Sequence, residues 1–224
     1  MASVSVAPNA PEEKMAARKK SPPPPKRWFS VDIEADGSCP RLSNMRSIGI
    51  VVYNDQGDEL ESWERNLFTV PTFCEEEETM VEFWEKHPGA WKHVNTNQIP
   101  PQLAMEELKD LYLRHGGSAA VEWVAKPAAY DWQWVNSYYC QFKKKDWPSI
   151  GFKATCISTI KSTLVNFIGV TDEARWKGME SIWTTDLPKE SHRALDDARY
   201  QGAVFFGARK YMGTIKQLMH SSEL

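Results

Sequence analysis

Hydrophobic and polar residues alternate along the stretch from Trp28 to Gly37, the first part of the chain with a pattern typical of ordered structure. Aromatic and β-branched residues in this alternation predict a β-strand, whose side chains point in turn to opposite faces of a sheet. Asp32 and Glu34 therefore share one face, and a strand of this kind is expected at the centre of an α/β sheet with both faces covered. Two like charges on a covered face cost several kcal/mol unless a cation accompanies them, so the pattern predicts a positive charge beside both carboxylates. The apolar face carries Phe29, Val31 and Ile33, and the polar face carries Ser30, Asp32 and Glu34.

The pattern downstream predicts further strands and helices in an order typical of an α/β protein. Two extended segments follow the opening strand and are expected to continue it as an antiparallel run. The later segments alternate between strand and helix, which favours a sheet with helices on its faces. The predicted strands are Ser47–Asn54, Glu59–Thr69, Ala119–Ala125 and Phe152–Cys156, and the predicted helices are Thr79–Lys86, Gln102–His115, Asp131–Phe142, Ser158–Phe167 and Ser191–Tyr211.

A few residues refine where these helices begin and end. Thr79 and Glu82 have the spacing of a capping box. Gly169 and Gly213 are expected to end the last two helices. Asp172–Pro188, which lies between them, is predicted to be an irregular loop.

The composition changes at about residue 27, which predicts a domain boundary. Residues 1–27 are rich in Ala, Ser, Pro and Lys, as is typical of a disordered tail. Residues 28–213 are predicted to form one domain, followed by a C-terminal tail at 214–224. The basic residues of the first tail also fit a nuclear import signal or an arm that contacts phosphates.

The whole-chain composition excludes some classes of protein. The net charge of −3 gives no global basic signature, so any contact with nucleic acid has to come from a local patch or from metal ions. The sequence offers no apolar run of about 18 residues, so no membrane association is expected. It also has no apolar core like that of a signal peptide. The four cysteines form no C-x-x-C pair and are expected to be free thiols of an intracellular, cytoplasmic protein, with the nucleus left open by the basic tail.

Asp131 is a second candidate for chemistry, because it heads a predicted helix with an apolar inward face. The helix period places it on the same face as four apolar or aromatic residues, and the helix N-terminus favours a negative charge there. An ordinary N-cap is the structural alternative. The residues that share its face are Val135, Tyr138, Tyr139 and Phe142.

The segment Ser191–Ala198 supplies a third set of candidates. Small residues recur every four positions along this predicted helix, at Ala194, Ala198 and Gly202, which lets it lie close to a sheet. Asp197 is predicted near that seam and Asp196 farther towards solvent, because successive residues are about 100° apart around a helix. His192 precedes the first full turn. A surface histidine beside an acidic pair is the structural alternative.

These candidates together predict a metal site. Asp32, Glu34, Asp131 and Asp197 are four carboxylates with no basic partner in the pattern, and hard divalent cations prefer oxygen ligands. His192 adds a group that can titrate near neutral pH. The other histidines lack a carboxylate cluster nearby in the sequence and are not assigned to the site: His87, His93, His115 and His220.

The spacing of these residues resembles that of the DEDDh 3′–5′ exonucleases of the ribonuclease H-like fold, which include the ribonuclease T-type and proofreading exonucleases. The likeness consists of Asp-x-Glu on the first strand, a mid-chain Asp and a closing His-x-x-x-x-Asp, and it spans about residues 28–213. The closing motif is the most specific part, because a sister subgroup has tyrosine in place of the histidine. Thr79–Trp84 resembles a segment of phage-type exonucleases, and Val124–Asp131 resembles a bacterial exoribonuclease branch.

The resemblance implies a ribonuclease H-like mixed sheet flanked by helices, and a 3′–5′ exonuclease that releases nucleoside monophosphates from single-stranded RNA or DNA. It implies two divalent ions, Mg²⁺ or Mn²⁺, held by the four carboxylates with Asp32 as the bridge, and His192 as general base. Aromatic residues near the site are predicted to grip the terminal bases, with core packing as the alternative. The predicted substrate-binding residues are Ala35, Asp36, Trp84 and Trp132.

Two stretches depart from the family pattern. Ala128–Tyr130 stands where many members have Asn-x-x-Phe, and Ala35–Gly37 stands where many have Thr-Thr-Gly, which removes a hydroxyl group near the substrate 3′ end. The choice between RNA and DNA and the oligomeric state stay open, with a homodimer among the alternatives. Two other functions also stay open: a structure-specific or dinucleotide-trimming nuclease, and a catalytically silent domain that binds nucleic acid or a partner.

Overall fold

A computed structural model describes residues 23–167, 173–188 and 191–221 of the chain. Strand β1 (Arg27–Ala35) lies at the centre of a five-stranded mixed sheet with the order β3-β2-β1-β4-β5. Its antiparallel neighbour is β2 (Met45–Tyr53), which pairs with β3 (Glu59–Asn66), also antiparallel. On the other side, β4 (Val121–Ala125) runs parallel to β1, and the short β5 (Thr155–Cys156) runs parallel to β4. The predicted α/β fold with a mixed central sheet is therefore confirmed.

Helices cover both faces of this sheet. One face packs against α3 (Pro101–Arg114) and α4 (Asp131–Phe142) through a core cluster that includes Phe29, Val31 and Ile33. The other face packs against α5 (Ile157–Phe167), α6 (Glu173–Trp183) and α7 (Ala194–Ser221). The alternation along β1 thus separates a purely apolar face from the face that carries Asp32 and Glu34, as predicted.

A glycine on β2 brings α7 close to the two carboxylates of β1. Gly49 is the cross-strand partner of Asp32. A Cβ atom at Gly49 would overlap backbone atoms of Ala194 and Leu195, so the first turn of α7 rests directly on the strand. The Leu195 N–H also lies 3.3 Å from Glu64 Oε1 of β3, which offers this helix end an acceptor. The start of α7, and with it Asp197, is consequently fixed beside Asp32.

The segment after β3 differs from its predicted form. The single helix predicted at Thr79–Lys86 is instead α1 (Glu77–Glu82) followed by a 3₁₀ turn at Trp84–Lys86. The capping box was wrong, because Thr79 lies inside α1 and its hydroxyl donates to Glu76 Oε2 at 2.6 Å. After the 3₁₀ turn, Pro88 occupies the first turn of another helix, α2 (Pro88–Val94), where its missing N–H costs nothing.

The region predicted as a loop at Asp172–Pro188 is largely helical in its described part. Helix α6 covers Glu173–Trp183, and the spacing of Trp176, Met179 and Trp183 places all three against the core of the α7 face. The loop prediction was wrong because it overlooked the spacing of Trp176, Met179 and Trp183, whose intervals of three and four residues are helical. Asp172 lies outside the described residues, as does Gly169.

Helix α7 is longer at its C-terminus than predicted. It begins at Ala194 and continues through Gly213 to Ser221. Gly213 does not end the helix, because the residues after it continue to favour helix. Thr214–Ser221 contains no proline and has several good helix formers. The other predicted elements lie within three residues of the observed ones. The division into two tails and one domain stays a prediction. Among the helices that the structure describes, none has the combined length and apolarity required to span a membrane.

Candidate active site

Two carboxylates come from the polar face of β1. Glu34 is buried, and Asp32 is largely covered by α7, where Gln201 Nε2 donates to Asp32 Oδ1 at 2.5 Å. Gln201 is itself buried, so the hydrogen bond fixes the Asp32 side chain against the helix. The sheet supplies both carboxylates on a rigid frame, which suits groups that must hold a defined geometry.

The third carboxylate comes from the first residue of α4. β4 runs parallel to β1, so the carboxyl ends of both strands meet at one edge of the sheet, and the chain enters α4 from there. Asp131 is 3% exposed, and its Oδ2 atom accepts the Lys126 N–H at 3.2 Å. Backbone N–H groups of Ile33 and of Asp131 itself also stabilise the carboxylate. Asp131 is therefore held by the loop that leads out of β4.

The first turn of α7 and the three residues before it bring Asp197 and His192 to the same edge. Asp197 Oδ1 accepts the Ser191 N–H at 3.3 Å, which folds the segment before the helix back over its end. One possible ligand atom each from Glu34, His192 and Asp197 lies within 4.8 Å of the others. Asp131, Glu34 and Asp197 also lie close enough to Asp32 for their charges to raise its pKa. The structure thus brings together all five residues predicted for chemistry: Asp32, Glu34, Asp131, His192 and Asp197.

Burial raises the pKa of every carboxyl group in this cluster, and repulsion between the carboxylates adds to the effect at Asp32, Glu34 and Asp131. Burial, followed by Asp197 and Asp131, raises the pKa of Glu34 to about 8. Burial raises the pKa of Asp131 to about 7, against the lowering effect of its backbone hydrogen bonds. Burial also raises the pKa of Asp197, and it raises that of Asp32 well above its usual range together with the charges of Asp131, Glu34 and Asp197. The raised pKa values mean that the four carboxyl groups are not readily charged at the same time without a cation. Four carboxyl groups this close together fit a site for hard divalent cations, which prefer oxygen ligands.

His192 is held by aromatic side chains from the segment after α1. Its ring lies edge-on to Phe83, with the centroids 4.8 Å apart, and 4.2 Å from the ring of His87. His87 Nδ1 lies 2.8 Å from the Phe83 carbonyl oxygen, which ties the two holding residues together. The His192 backbone is in the left-handed region with φ of 51°. Sequence reasoning missed His87, because only tertiary packing brings it to this site.

Three of the four predicted substrate-binding side chains have structural roles instead. Trp84 is 1% exposed and its Nε1 donates to the Ala35 carbonyl at 3.0 Å, whereas Trp132 is 8% exposed and packs on Trp123. Asp36 is fully buried in an ion pair with Arg46 at 3.2 Å. A buried ring offers no face for a base to stack on, and a buried carboxylate paired with an arginine is not open to substrate, so the structure gives these three predictions no support. The predicted contact of Ala35 with substrate stays a prediction.

An open cleft of about 560 Å³ lies over the acidic cluster. Asp32, Asp197 and His192 contribute to one part of its lining. Three lysines and a tyrosine contribute to another part, and they come from the end of β4, from α5, from α6 and from α7: Lys126, Lys161, Lys177 and Tyr200. Acidic and basic side chains thus line the same cleft.

The sequence matches one family model, described as the 3'-5' exoribonuclease Rv2179c-like domain, over residues 27–206. This range contains the whole sheet and all five clustered residues. A comparison with curated proteins gave no match.

Solved structures with a similar fold include nucleases. E. coli exonuclease I in a zinc-bound complex with single-stranded DNA has a TM-score of 0.63 and 10% identity over 88% of this chain. This chain spans 43% of that exonuclease, less than half of its length. The nuclease domain of 3'hExo, a DEDDh family member bound to rAMP, has a TM-score of 0.53 and 15% identity over 84% of this chain and 93% of its own. S. pombe Pop2p in a form with Mg²⁺ and Mn²⁺ has a TM-score of 0.53 and 15% identity over 81% and 82%. At these identities the likeness shows a shared fold.

Proposed function

The chain belongs to the 3'-5' exoribonuclease Rv2179c-like domain family, and on that premise we propose that it removes nucleotides one at a time from the 3′ end of single-stranded nucleic acid. The products are nucleoside 5′-monophosphates. The family description makes RNA the first substrate to test, with DNA as the comparison. Intracellular nucleic acid is the substrate in this proposal, with the protein in the cytoplasm or, through its basic tail, in the nucleus.

One observation carries the proposal. Four carboxylates from β1, α4 and α7 meet His192 at the floor of an open cleft, and the pKa of each carboxyl group is raised. A domain that only binds nucleic acid gains nothing from a buried acidic cluster that repels phosphate. With bound cations, the negative charge of the cluster would be neutralised and the site could accept a phosphodiester.

Asp32, Glu34, Asp131 and Asp197 would hold two divalent cations, Mg²⁺ or Mn²⁺, between them. When bound, such cations activate water and neutralise charge on the phosphate and the leaving oxygen. Gln201 keeps Asp32 in place through its hydrogen bond, and the Lys126 N–H does the same for Asp131. The chain's part in the metal chemistry is to fix these oxygen atoms.

His192 is the general base in this proposal. Its imidazole accepts a proton from the water that attacks the phosphorus atom, a role worth typically 10²–10⁴-fold in rate. Its side chain lies next to Glu34 and Asp197 and on the wall of the cleft. The packing of Phe83 and His87 around the ring holds the imidazole in one orientation. A base held in one orientation meets the requirement of proton transfer for a short, aligned path.

The test uses single-stranded RNA and DNA labelled at the 5′ end, with Mg²⁺, Mn²⁺ or EDTA. We expect a ladder of products that shortens stepwise from the 3′ end, requires metal and releases nucleoside monophosphates. The Asp32→Asn variant is the matched control and should give no ladder. Internal cuts would show a different nuclease, and the absence of any EDTA-sensitive product would point to a binding domain.

A further inference from the structure

A second part of the cleft wall is basic. Lys126 follows β4, Lys161 lies on α5 and Lys177 lies on α6, and all three line the cleft that contains Asp32, Asp197 and His192. The chain as a whole is acidic, with a net charge of −3. Three ammonium groups from three separate segments therefore lie in the cleft where the proposed active site would meet a polyanion.

Lys126 is held in the cleft by a hydrogen-bond network centred on Glu180 of α6. Glu180 Oε1 lies 3.3 Å from Lys126 Nζ and accepts the Tyr200 hydroxyl at 3.2 Å, while Glu180 Oε2 accepts the Trp176 Nε1–H at 2.8 Å. The backbone N–H of Lys126 meanwhile donates to Asp131. Lys126 thus contacts the acidic cluster through its backbone and the basic part of the cleft through its side chain.

The other two lysines belong to the helical pair that covers this side of the sheet. Lys161 Nζ pairs with Glu173 Oε1 at 2.5 Å, and its side chain is 30% exposed. Lys177 lies one helical turn after Glu173 on α6, and its charge helps to lower the pKa of that carboxyl group. Both ammonium groups reach the cleft from helices that are anchored in the core by Leu164 and Trp176.

Charge balance shows why the site needs this wall. Two divalent cations would balance four carboxylates, so a filled metal site has no excess positive charge for phosphates beyond the scissile one. A single strand brings a negative phosphate at every nucleotide, and lysine is a compact point charge that binds phosphate without reading the base. Position and charge of the three lysines both match that requirement.

We propose that Lys126, Lys161 and Lys177 form a phosphate-binding wall that holds the sugar–phosphate backbone of the strand next to the scissile bond. This proposal rests on the proposed function and names how the same site grips its substrate. Glu180 is a positioning residue, which acts by keeping the Lys126 ammonium turned into the cleft. The wall contributes to binding of a polynucleotide and leaves cleavage of a substrate with one phosphate unchanged.

The first measurement is binding of a labelled single strand by fluorescence anisotropy, in the cleavage-deficient Asp32→Asn protein and over a range of salt concentrations. Each lysine-to-alanine substitution should weaken binding about fivefold, the upper end for an exposed charge pair. Each should also reduce the slope of log Kd against log salt by about 0.7, the value per phosphate contact of a single strand. Lys144→Ala is the matched control, because Lys144 also pairs with a glutamate but packs on Trp147, in the core of the opposite sheet face.

The second measurement is hydrolysis of the p-nitrophenyl ester of thymidine 5′-monophosphate, which contains a single phosphodiester, by the lysine variants with Asp32 intact. Their kcat and KM for this ester should equal those of the unsubstituted protein, while KM for an oligonucleotide rises. Glu180→Gln keeps the shape of the network and should raise the oligonucleotide KM less than Lys126→Ala, and the double variant should be no worse than Lys126→Ala alone.

The two proposals fail in different ways. Salt slopes that are unchanged in all three lysine variants overturn the phosphate-binding wall, whether or not the protein cleaves. An equal loss of ester hydrolysis in the variants also overturns it, because the lysines would then act at the scissile phosphate or on the fold. A protein that binds the strand through these lysines but cleaves neither substrate supports the wall and overturns the exonuclease.

Discussion

The ring of His192 lies 4.2 Å from the ring of His87, although 104 positions separate them in a sequence of 224. His87 is the last residue before α2 and is tied to the Phe83 carbonyl oxygen, so it belongs to a well-anchored segment. His192 belongs to the short stretch before α7 and has a left-handed backbone conformation. The contact with His87 thus orients the His192 ring at the edge of the sheet, although neither histidine belongs to a strand.

The first prediction concerns this contact. His87→Ala should lower kcat by about tenfold or more, because a loosened imidazole at position 192 spends less time aligned with its water. His87→Phe preserves a flat ring against His192 and should recover much of the lost rate. Single-turnover cleavage and Mn²⁺ titration of both variants would measure this. An equal loss in the two variants, or a loss of metal affinity, contradicts a positioning role for His87.

The second prediction separates two roles for His192. His192 lies close enough to Glu34 and Asp197 to be a metal ligand as well as a base. If His192 is the base, the His192→Ala variant should cleave about 10²- to 10⁴-fold more slowly. Its affinity for Mn²⁺, measured by calorimetric titration, should be unchanged. If affinity and rate fall together, His192 is a ligand. Near-normal turnover would falsify the base assignment.

Asp196 and Asp197 provide a matched pair for the third prediction. Asp197 lines the cleft, whereas Asp196 lies 3.8 Å from Arg199, which is already paired with Glu59. Asp197→Ala should abolish metal-dependent cleavage. Asp196→Ala should change kcat/KM by less than about threefold, as is usual for a surface substitution. Assays of both variants on the same oligonucleotide would measure this, and the reverse order of effects would reassign the metal ligand.

The acidic floor of the site was predictable because it depends on local periodicity. Alternation along a strand places Asp32 and Glu34 on one face, and the helix period places Asp131 on the apolar face of α4. The partners of these residues depend on tertiary packing and were not predictable. Gln201 reaches Asp32 only because Gly49 lets α7 lie against the sheet, and nothing in the sequence near Asp32 indicates it.

The basic wall was missed for a related reason. Lys177 and Glu180 lie within the segment that was predicted as a loop, and a loop prediction gives no face on which to place them. Trp84 and Trp132 were assigned to substrate for the opposite reason, since sequence alone does not tell a tryptophan of the core from one at a surface. The catalytic floor was therefore more predictable than the residues that grip substrate.

The fourth prediction assigns Asp36 to stability. Its carboxylate is fully buried, accepts the Asn44 N–H at 2.6 Å and pairs with Arg46, which is also buried. Asp36→Ala leaves the buried Arg46 charge with the half-exposed Glu75, at 3.5 Å, as its carboxylate partner and with the neutral Asn95 side chain as a further acceptor. The free energy of unfolding should fall by about 3–5 kcal/mol, as expected when one partner of a buried pair is removed. Urea denaturation would measure it, and unchanged stability with a raised KM would restore Asp36 to the substrate site.

The fifth prediction concerns pH and metal together. In the metal-free protein the pKa of Glu34 is raised from 4.5 to about 8 and that of Asp131 from 3.8 to about 7. A carboxyl group with a higher pKa in the folded state binds more protons there, so the free energy of unfolding falls as pH rises. Its stabilising contribution is complete below the ordinary pKa and is lost as pH rises through the raised one. The melting temperature in EDTA should therefore fall between about pH 4 and pH 8.

Mn²⁺ should reverse this dependence, because a divalent cation stabilises the charged carboxylates and binds more tightly once they lose their protons. Glu34→Gln removes one titrating group. In EDTA, the melting temperature of this variant should therefore depend less on pH, and Mn²⁺ should raise it less than it raises that of the unsubstituted protein. Differential scanning calorimetry of both proteins at matched pH values, with and without Mn²⁺, provides the measurement. A melting temperature in EDTA that is constant over this range, or identical in the variant, would show that the carboxylates do not destabilise the fold when charged, and that they need no cation to neutralise them.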